Sequence, residues 1–115
     1  MDKTSSLLLI IFYRNPIAGK VKTRLAATVG DQRALEIYRA LSQHTSIITQ
    51  FLPFTRIVYY TDAIEPGDVW PDNVFNKALQ HGDDLGERME NAFNECFESG
   101  YTSICIIGTD CWDLT

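Results

Sequence analysis

The stretch SLLLIIFYRNPIAGKVKTRL, Ser6–Leu25, decides how this chain is read. From Ser6 to Tyr13 it runs apolar with no period-two alternation, the pattern of a strand buried on both faces in a parallel sheet. Pro16 and Gly19 then mark a loop, and Lys20, Lys22 and Arg24 place three cations within five residues of it. The apolar run has only Lys3 as a base ahead of it, no small-residue cleavage site behind it, and Arg14-Asn15-Pro16 as a turn. It therefore reads as a core strand and not a secretion signal, which places the protein in the cytoplasm.

Outward from this stretch the period changes. Asp31 is a plausible N-cap, and Ala34, Leu35, Tyr38, Leu41, Thr45 and Ile48 recur at helical spacing until Pro53. Thr55–Thr61, TRIVYYT, reads as a second strand. Residues 62–73 hold two prolines, a glycine and four acids and read as a surface loop, while 74–80 fit either a short edge strand or a helical turn. A second helix is expected over 85–99, with Leu85, Met89, Ala92, Phe93, Cys96 and Phe97 on one face, Asp83 or Asp84 as its cap, and Gly100 at its end. TSICIIG, Thr102–Gly108, reads as a third strand. The alternation of strand and helix predicts an α/β fold, three layers with a mainly parallel sheet between helices.

The bulk numbers set limits. A chain of 115 residues with 45% hydrophobic and 22% charged content is one globular domain. Its apolar runs are shorter than the ~18 residues of a membrane span, and its net charge of −5 disfavours nucleic acid or an anionic membrane as partner. That charge is unevenly spread. From Lys3 to Gly30 there are five bases and no acid, whereas residues 31–115 carry the other five bases against fourteen acids. A positive cluster on an acidic chain suggests a site for a small anion such as phosphate. Three cysteines without C-x-x-C spacing argue against a disulfide frame or a zinc site; Cys96 and Cys105 are expected in the core, and Cys111 in a tight loop.

Function follows from topology. Ligands of open parallel sheets bind beyond the carboxyl ends of the strands, so the loop Arg14–Arg24 and the segment from Thr109 should meet, although nearly ninety residues part them. Gly19 lets backbone approach a ligand, Lys20 and Lys22 act as point charges, and Arg24 can fork onto phosphate oxygens. The loop is not a Walker A motif, because Val21 follows Gly19-Lys20 and no glycine lies five residues earlier. QHGDDLGERM, Gln80–Met89, brings two glycines and two acids to a helix entry, where Asp84 and Glu87 are best read as capping residues and Gly86 and Arg88 as candidates for ligand contact. In IIGTDCWDL, Asp110 stands where a strand-end carboxylate could hold Mg²⁺ or Mn²⁺ against a polyphosphate, or could cap the next turn; Asp113 could cap likewise. His44 and His81 have no partner spacing that would make either a base or a metal ligand.

Together, FYRNPIAGKVKTRL, GDDLGERMENAF and IIGTDCWDLT resemble a bacterial GT-A-like family of glycosyltransferases or nucleotidyltransferases. Some of its members are assigned to arsenosugar biosynthesis, and the 2-phospholactate guanylyltransferases are more distant relatives. The resemblance spans essentially the whole chain. It implies a nucleotide-diphospho-sugar transferase (GT-A, Rossmann-like) fold, of which residues 1–115 form the N-terminal, nucleotide-binding part. It also implies that Pro16, Gly19, Lys20, Lys22, Thr23 and Arg24 wrap the nucleotide phosphates, with Lys22, Arg24 and Asp110 as the catalytic set. Gln80, Gly86 and Arg88 would lie near the base, and Asp110 would be the metal ligand. The implied partners are a nucleotide or nucleotide-sugar and a small-molecule acceptor. Trp112 stands where members carry proline, and family members run on beyond the length of this chain, through strands and helices that include the acceptor pocket. A second reading is thus a nucleotide-binding or assembly module without chemistry of its own, pairing with another copy through the open sheet edge.

Overall fold

In the computed structural model the described residues are 7–53 and 55–109. The readings placed on Asp110, Cys111, Trp112 and Asp113 lie outside them. The elements follow in the order β1 (Leu7–Tyr13), α1 (Thr23–Val29), α2 (Asp31–Thr49), β2 (Thr55–Tyr60), β3 (Asn76–Leu79), α3 (Leu85–Glu98) and β4 (Ser103–Gly108). The four strands form one sheet in the order β3-β2-β1-β4, and every pairing is parallel.

β1 is central because it is apolar on both faces. Leu9, Ile11 and Tyr13 join a core with Leu35, Tyr38, Val58, Tyr60, Trp70 and Phe75 on the α2 side. Leu8, Ile10 and Phe12 join Tyr59, Ala92 and Cys96 on the α3 side. With helices over both faces, the molecule is the three-layer α/β arrangement that the alternation predicts. The register is set by Leu8 opposite Thr55 on one flank and Leu7 opposite Ser103 on the other, which brings the carboxyl ends of β1, β2 and β4 to one edge. Segment 74–80 resolves as the short edge strand β3. No helix among the described residues is long and apolar enough to cross a membrane.

Four sequence expectations are corrected. Part of the basic segment is helical: α1 takes up Thr23 and Arg24, buries none of its residues, and so leaves no apolar stripe to read. The sheet-facing side of α2 carries Ser42, Thr45, Ser46 and Thr49, while Ile48 is 53% exposed. Thr45 and Thr49 satisfy their hydroxyls on the carbonyls of Leu41 and Thr45, so these polar side chains pack at little cost. On α3, Leu85 and Phe97 are exposed, and Ala92 and Cys96 hold the contact. Cys105 is exposed on β4, since Ile104 and Ile106 take the face that packs toward α3.

An aromatic group closes the core beneath the carboxyl edge. Tyr13 stacks on Tyr38 at 5.8 Å and 14°, and meets Tyr60 and Trp70 edge-on at 5.4 and 5.3 Å. Trp70 meets Phe75 in the same way. Such pairs add about 0.5–1.5 kcal/mol each beyond burial. At the other end of the sheet, Arg56 donates to the carbonyls of Thr49, Gln50 and Leu52 and lies over the Phe75 ring, closing the C-terminus of α2.

Two measurements test this core. Trp70→Ala should cost about 3–5 kcal/mol of unfolding free energy in urea titrations. Trp70→Phe should cost less, because it keeps a ring there and removes an indole N–H that is buried without a partner among the described residues. Burial raises the pKa of Tyr13, Tyr59 and Tyr60, and the Asp68 carboxylate accepting from the Tyr60 hydroxyl raises that group further. Above the ordinary tyrosine value of 10.0 the unfolded chain releases these protons while the folded chain keeps them. Stability should therefore hold below that pH and fall as pH rises above it; a flat stability profile up to about pH 11 would contradict this.

Candidate functional site

Where the β1 ladder ends, side chains take over from strand partners. The Tyr13 carbonyl accepts from the Thr61 N–H at 3.2 Å, continuing the pairing by one residue. The Arg14 N–H then donates to the Tyr38 hydroxyl at 3.0 Å, and that hydroxyl donates to the Arg14 carbonyl at 2.8 Å. Asn15, only 5% exposed, donates its side-chain N–H to the Ala63 carbonyl at 2.9 Å. Its side-chain oxygen accepts from the N–H groups of Asp62 and Ala63 at 2.8 and 3.2 Å. Asn15 thus laces the loop after β1 to the loop after β2. Neither Asn15 nor the hydroxyl role of Tyr38 was legible in the sequence, because their partners lie 24 to 71 residues away.

Two cavities flank this lacing, and consecutive residues alternate between them. Tyr13, Asn15 and Asp62 line the larger, about 720 Å³, with Arg39 and Gln43 of α2 and Asp68. Arg14 and Thr61 line the smaller, about 140 Å³, with Gln80, Asp83, Asp84 and Arg88. In the smaller cavity Gln80 is fixed by three bonds. Its backbone N–H donates to the Tyr60 carbonyl, its side-chain amide donates to the Tyr59 carbonyl at 2.9 Å, and its oxygen accepts from Arg88 at 3.4 Å. Arg88 also donates to the Gly82 carbonyl at 3.0 Å. Asp84 caps α3 by accepting from the Glu87 N–H at 2.8 Å, and the Glu87 carboxylate accepts from the Asp83 N–H at 2.8 Å, a variant of the capping box.

The glycine that the α3 entry requires is Gly82. A Cβ there would sit 2.8 Å from the Arg88 backbone nitrogen, at a φ of +141° that side chains rarely adopt. A Cβ at Gly86 would find Asp84 Oδ1 at 3.5 Å, an ordinary contact, so packing does not demand glycine there.

The basic loop begins with a turn in which the Lys20 N–H donates to the Ile17 carbonyl at 3.0 Å and Gly19 takes a φ of +83°. Pro16 is half-buried in the larger cavity, and Gly19, Lys20, Thr23 and Arg24 are exposed. Lys22 differs from them all. Only 4% exposed, it precedes α1 in the left-handed conformation with φ 50°, and among the described residues it is the one non-glycine with a positive φ. Its ammonium has no hydrogen bond or ion pair among the described residues. The structure thus brings Gln80 and Arg88 together in one cavity with Arg14, while Lys20 and Lys22 lie further along the same loop and Arg24 lies in the first turn of α1, none of the three in the cavity wall. Among the described residues, no three His, Cys, Asp or Glu side chains gather as a metal site. His44 and His81 are exposed.

Residues 47–115 match the model of DUF2064, a family described as an uncharacterized protein conserved in bacteria. The chain belongs to this family. The match takes in the Gln80–Arg88 segment and β4, and begins after the basic loop. No curated protein matches the chain. Among solved structures, it is similar to a "putative nucleotide-diphospho-sugar transferase" from Desulfovibrio desulfuricans G20. The identity is 30% and the TM-score 0.82, over 92% of this chain and 48% of that one. This DUF2064 chain therefore has the fold of a nucleotide-diphospho-sugar transferase, and it spans about half the length of that relative.

The glycine assignment gives a paired test. Gly86→Ala should be neutral or stabilising by up to about 1 kcal/mol, since it removes a glycine from the first turn of a helix. Gly82→Ala should destabilise by about 1–3 kcal/mol through backbone strain. Thermal melts that rank the two variants the other way would show that the entry to α3 is packed differently.

Proposed function

We propose that the chain is the nucleotide-binding part of a nucleotide-diphospho-sugar transferase, taking an NTP or an NDP-sugar as donor for glycosyl or nucleotidyl transfer to a small-molecule acceptor. The observation that carries this reading is Lys22. A left-handed lysine costs about 1–2 kcal/mol, and its stem is buried while its ammonium has no counter-charge among the described residues. A fold keeps such a feature where function requires it, and a phosphate would supply the missing counter-charge. The fold shared with the transferase from D. desulfuricans supports the same donor class.

In this reading Lys20, Lys22 and Arg24 bind the donor phosphates on a loop shaped by Pro16, Gly19 and Thr23. Gln80 and Arg88, held by their own hydrogen bonds, present fixed polar edges to the nucleobase, with Gly86 leaving room at the helix entry. A hard divalent cation needs one or two carboxylates and completes its shell with phosphate oxygens, a requirement that Asp110 and a donor diphosphate together fit. When bound, Mg²⁺ or Mn²⁺ would neutralise charge on the departing phosphate. The chain's own part is positioning and electrostatic stabilisation, with Lys22 and Arg24 facing the leaving group.

Calorimetric titration with ATP, GTP, CTP, UTP and UDP-glucose, with and without Mg²⁺, tests the proposal. At least one should bind more tightly with metal, and Asp110→Ala should abolish that gain. Lys22→Asn, which suits a left-handed backbone, should weaken binding by about tenfold or more, a loss of about 1.4 kcal/mol or more, with little change in Tm. Absence of binding by the unmodified chain to every donor, in either condition, would sink the reading.

A further inference from the structure

The ends of β1 and β4 are joined through one buried hydroxyl. Tyr38 is fully buried, and its oxygen lies 2.7 Å from Thr109 Oγ1, itself only 1% exposed. The Arg14 carbonyl can only accept, and it lies 2.8 Å from the Tyr38 hydroxyl. The Tyr38 oxygen also accepts from the Arg14 N–H and shares a hydrogen bond with the Thr109 hydroxyl, which lies 3.4 Å from the Phe12 carbonyl as well. One oxygen thereby fixes the backbone of Arg14, where the basic loop starts, against the residue that precedes Asp110.

The rest of α2 reinforces this point. The Tyr38 ring is held flat against Tyr13, so the hydroxyl cannot swing away without breaking a stacked pair. At the start of the same helix the Asp31 carboxylate lies against Gly19, 3.4 Å from where a Cβ would be. The helix thus touches the basic loop at its first residue and at its turn, and touches the end of β4 as well.

We propose that the Tyr38 hydroxyl is a positioning group that holds the start of the basic loop, at Arg14, against the end of β4, at Thr109, in the arrangement a bound nucleotide diphosphate requires. This rests on the donor-binding reading above for its ligand, and on hydrogen bonds alone for its linkage. Neither residue touches the nucleotide in this account; both act through the backbone where the basic loop begins and β4 ends.

The test uses Tyr38→Phe, Thr109→Val, Thr109→Ser and the Phe/Val double variant of the full chain, with two readouts. The first is amide hydrogen exchange without ligand. Exchange at Arg14 should rise about tenfold or more in Tyr38→Phe, in which its acceptor is lost, rise measurably in Thr109→Val, and stay unchanged in Thr109→Ser. The second is the Mg²⁺-dependent affinity for the nucleotide that binds best, with inorganic pyrophosphate without metal as control. Tyr38→Phe and Thr109→Val should each weaken the nucleotide about tenfold. The double variant should be no worse than Tyr38→Phe, Thr109→Ser should match the unmodified chain, and pyrophosphate should change no more than about twofold. A general loss of packing would weaken both ligands together and would not be rescued by serine, which would overturn the proposal. So would unchanged Arg14 exchange in Tyr38→Phe and Thr109→Val. Should Tyr38→Phe fail to fold, the valine and serine pair decides alone. If the unmodified chain binds no nucleotide, the donor reading falls, and the exchange data still decide the linkage.

Discussion

A parallel strand at the centre of a sheet must find partners for its backbone after its neighbours have turned away, and this constraint at the end of β1 shapes the whole carboxyl edge. Buried N–H and C=O groups left without partners cost free energy comparable to the bonds they forgo. Tyr13 passes its carbonyl to Thr61, Arg14 gives both its backbone groups to Tyr38, and Asn15 binds the loop after β2. Between them these solutions recruit α2 and the loop after β2, so satisfying one strand end also fixes the loops around it. The aromatic group of Tyr13, Tyr38, Tyr60 and Trp70 gives those loops a rigid floor.

The parts of this fold legible in the sequence are those governed by local pattern. An unbroken apolar run can be satisfied only by burial on both faces, and so β1 reads correctly as central. The caps of α3 were legible because Asp84 and Glu87 act within four residues of their partners. α1 was missed because TRLAATV is short, mostly exposed and begins at a strained lysine with no capping side chain. The sheet-facing side of α2 was misjudged because hydroxyl residues that bond their own helix count as polar in any hydropathy pattern and pack as small apolar ones. Of the candidate site, the basic loop and the Gln80–Arg88 segment could be named from residue type and spacing. The joints that hold them, Asn15 and Tyr38, depend on contacts across the chain and leave no local trace.

The chain concentrates departures from ordinary local structure at the same edge. A left-handed lysine with a buried stem and a glycine pressed against a helix backbone both lie there, next to loops laced by side chains instead of strand ladders. Local rules fail together in natural proteins mostly where a site is being held in place. In this parallel sheet that edge is the one at which open parallel sheets receive their ligands.

The small residues on the inner side of α2 bear on how such a protein can diverge. Ser42 is fully buried on the face of α2 that packs on the sheet, so its small size suits the position. Exchange with alanine leaves that fit intact, whereas a branched or long side chain would lift the helix from the sheet. It would carry the Tyr38 oxygen away from Arg14 and Thr109 as it did so. Lineages of this fold are therefore constrained in volume one helical turn below the site, at a position that touches no ligand and bears no chemistry. Tolerated variation there should be confined to the smallest residues, while the solvent-facing Ile47, Ile48 and Phe51 drift freely in size as far as this joint is concerned.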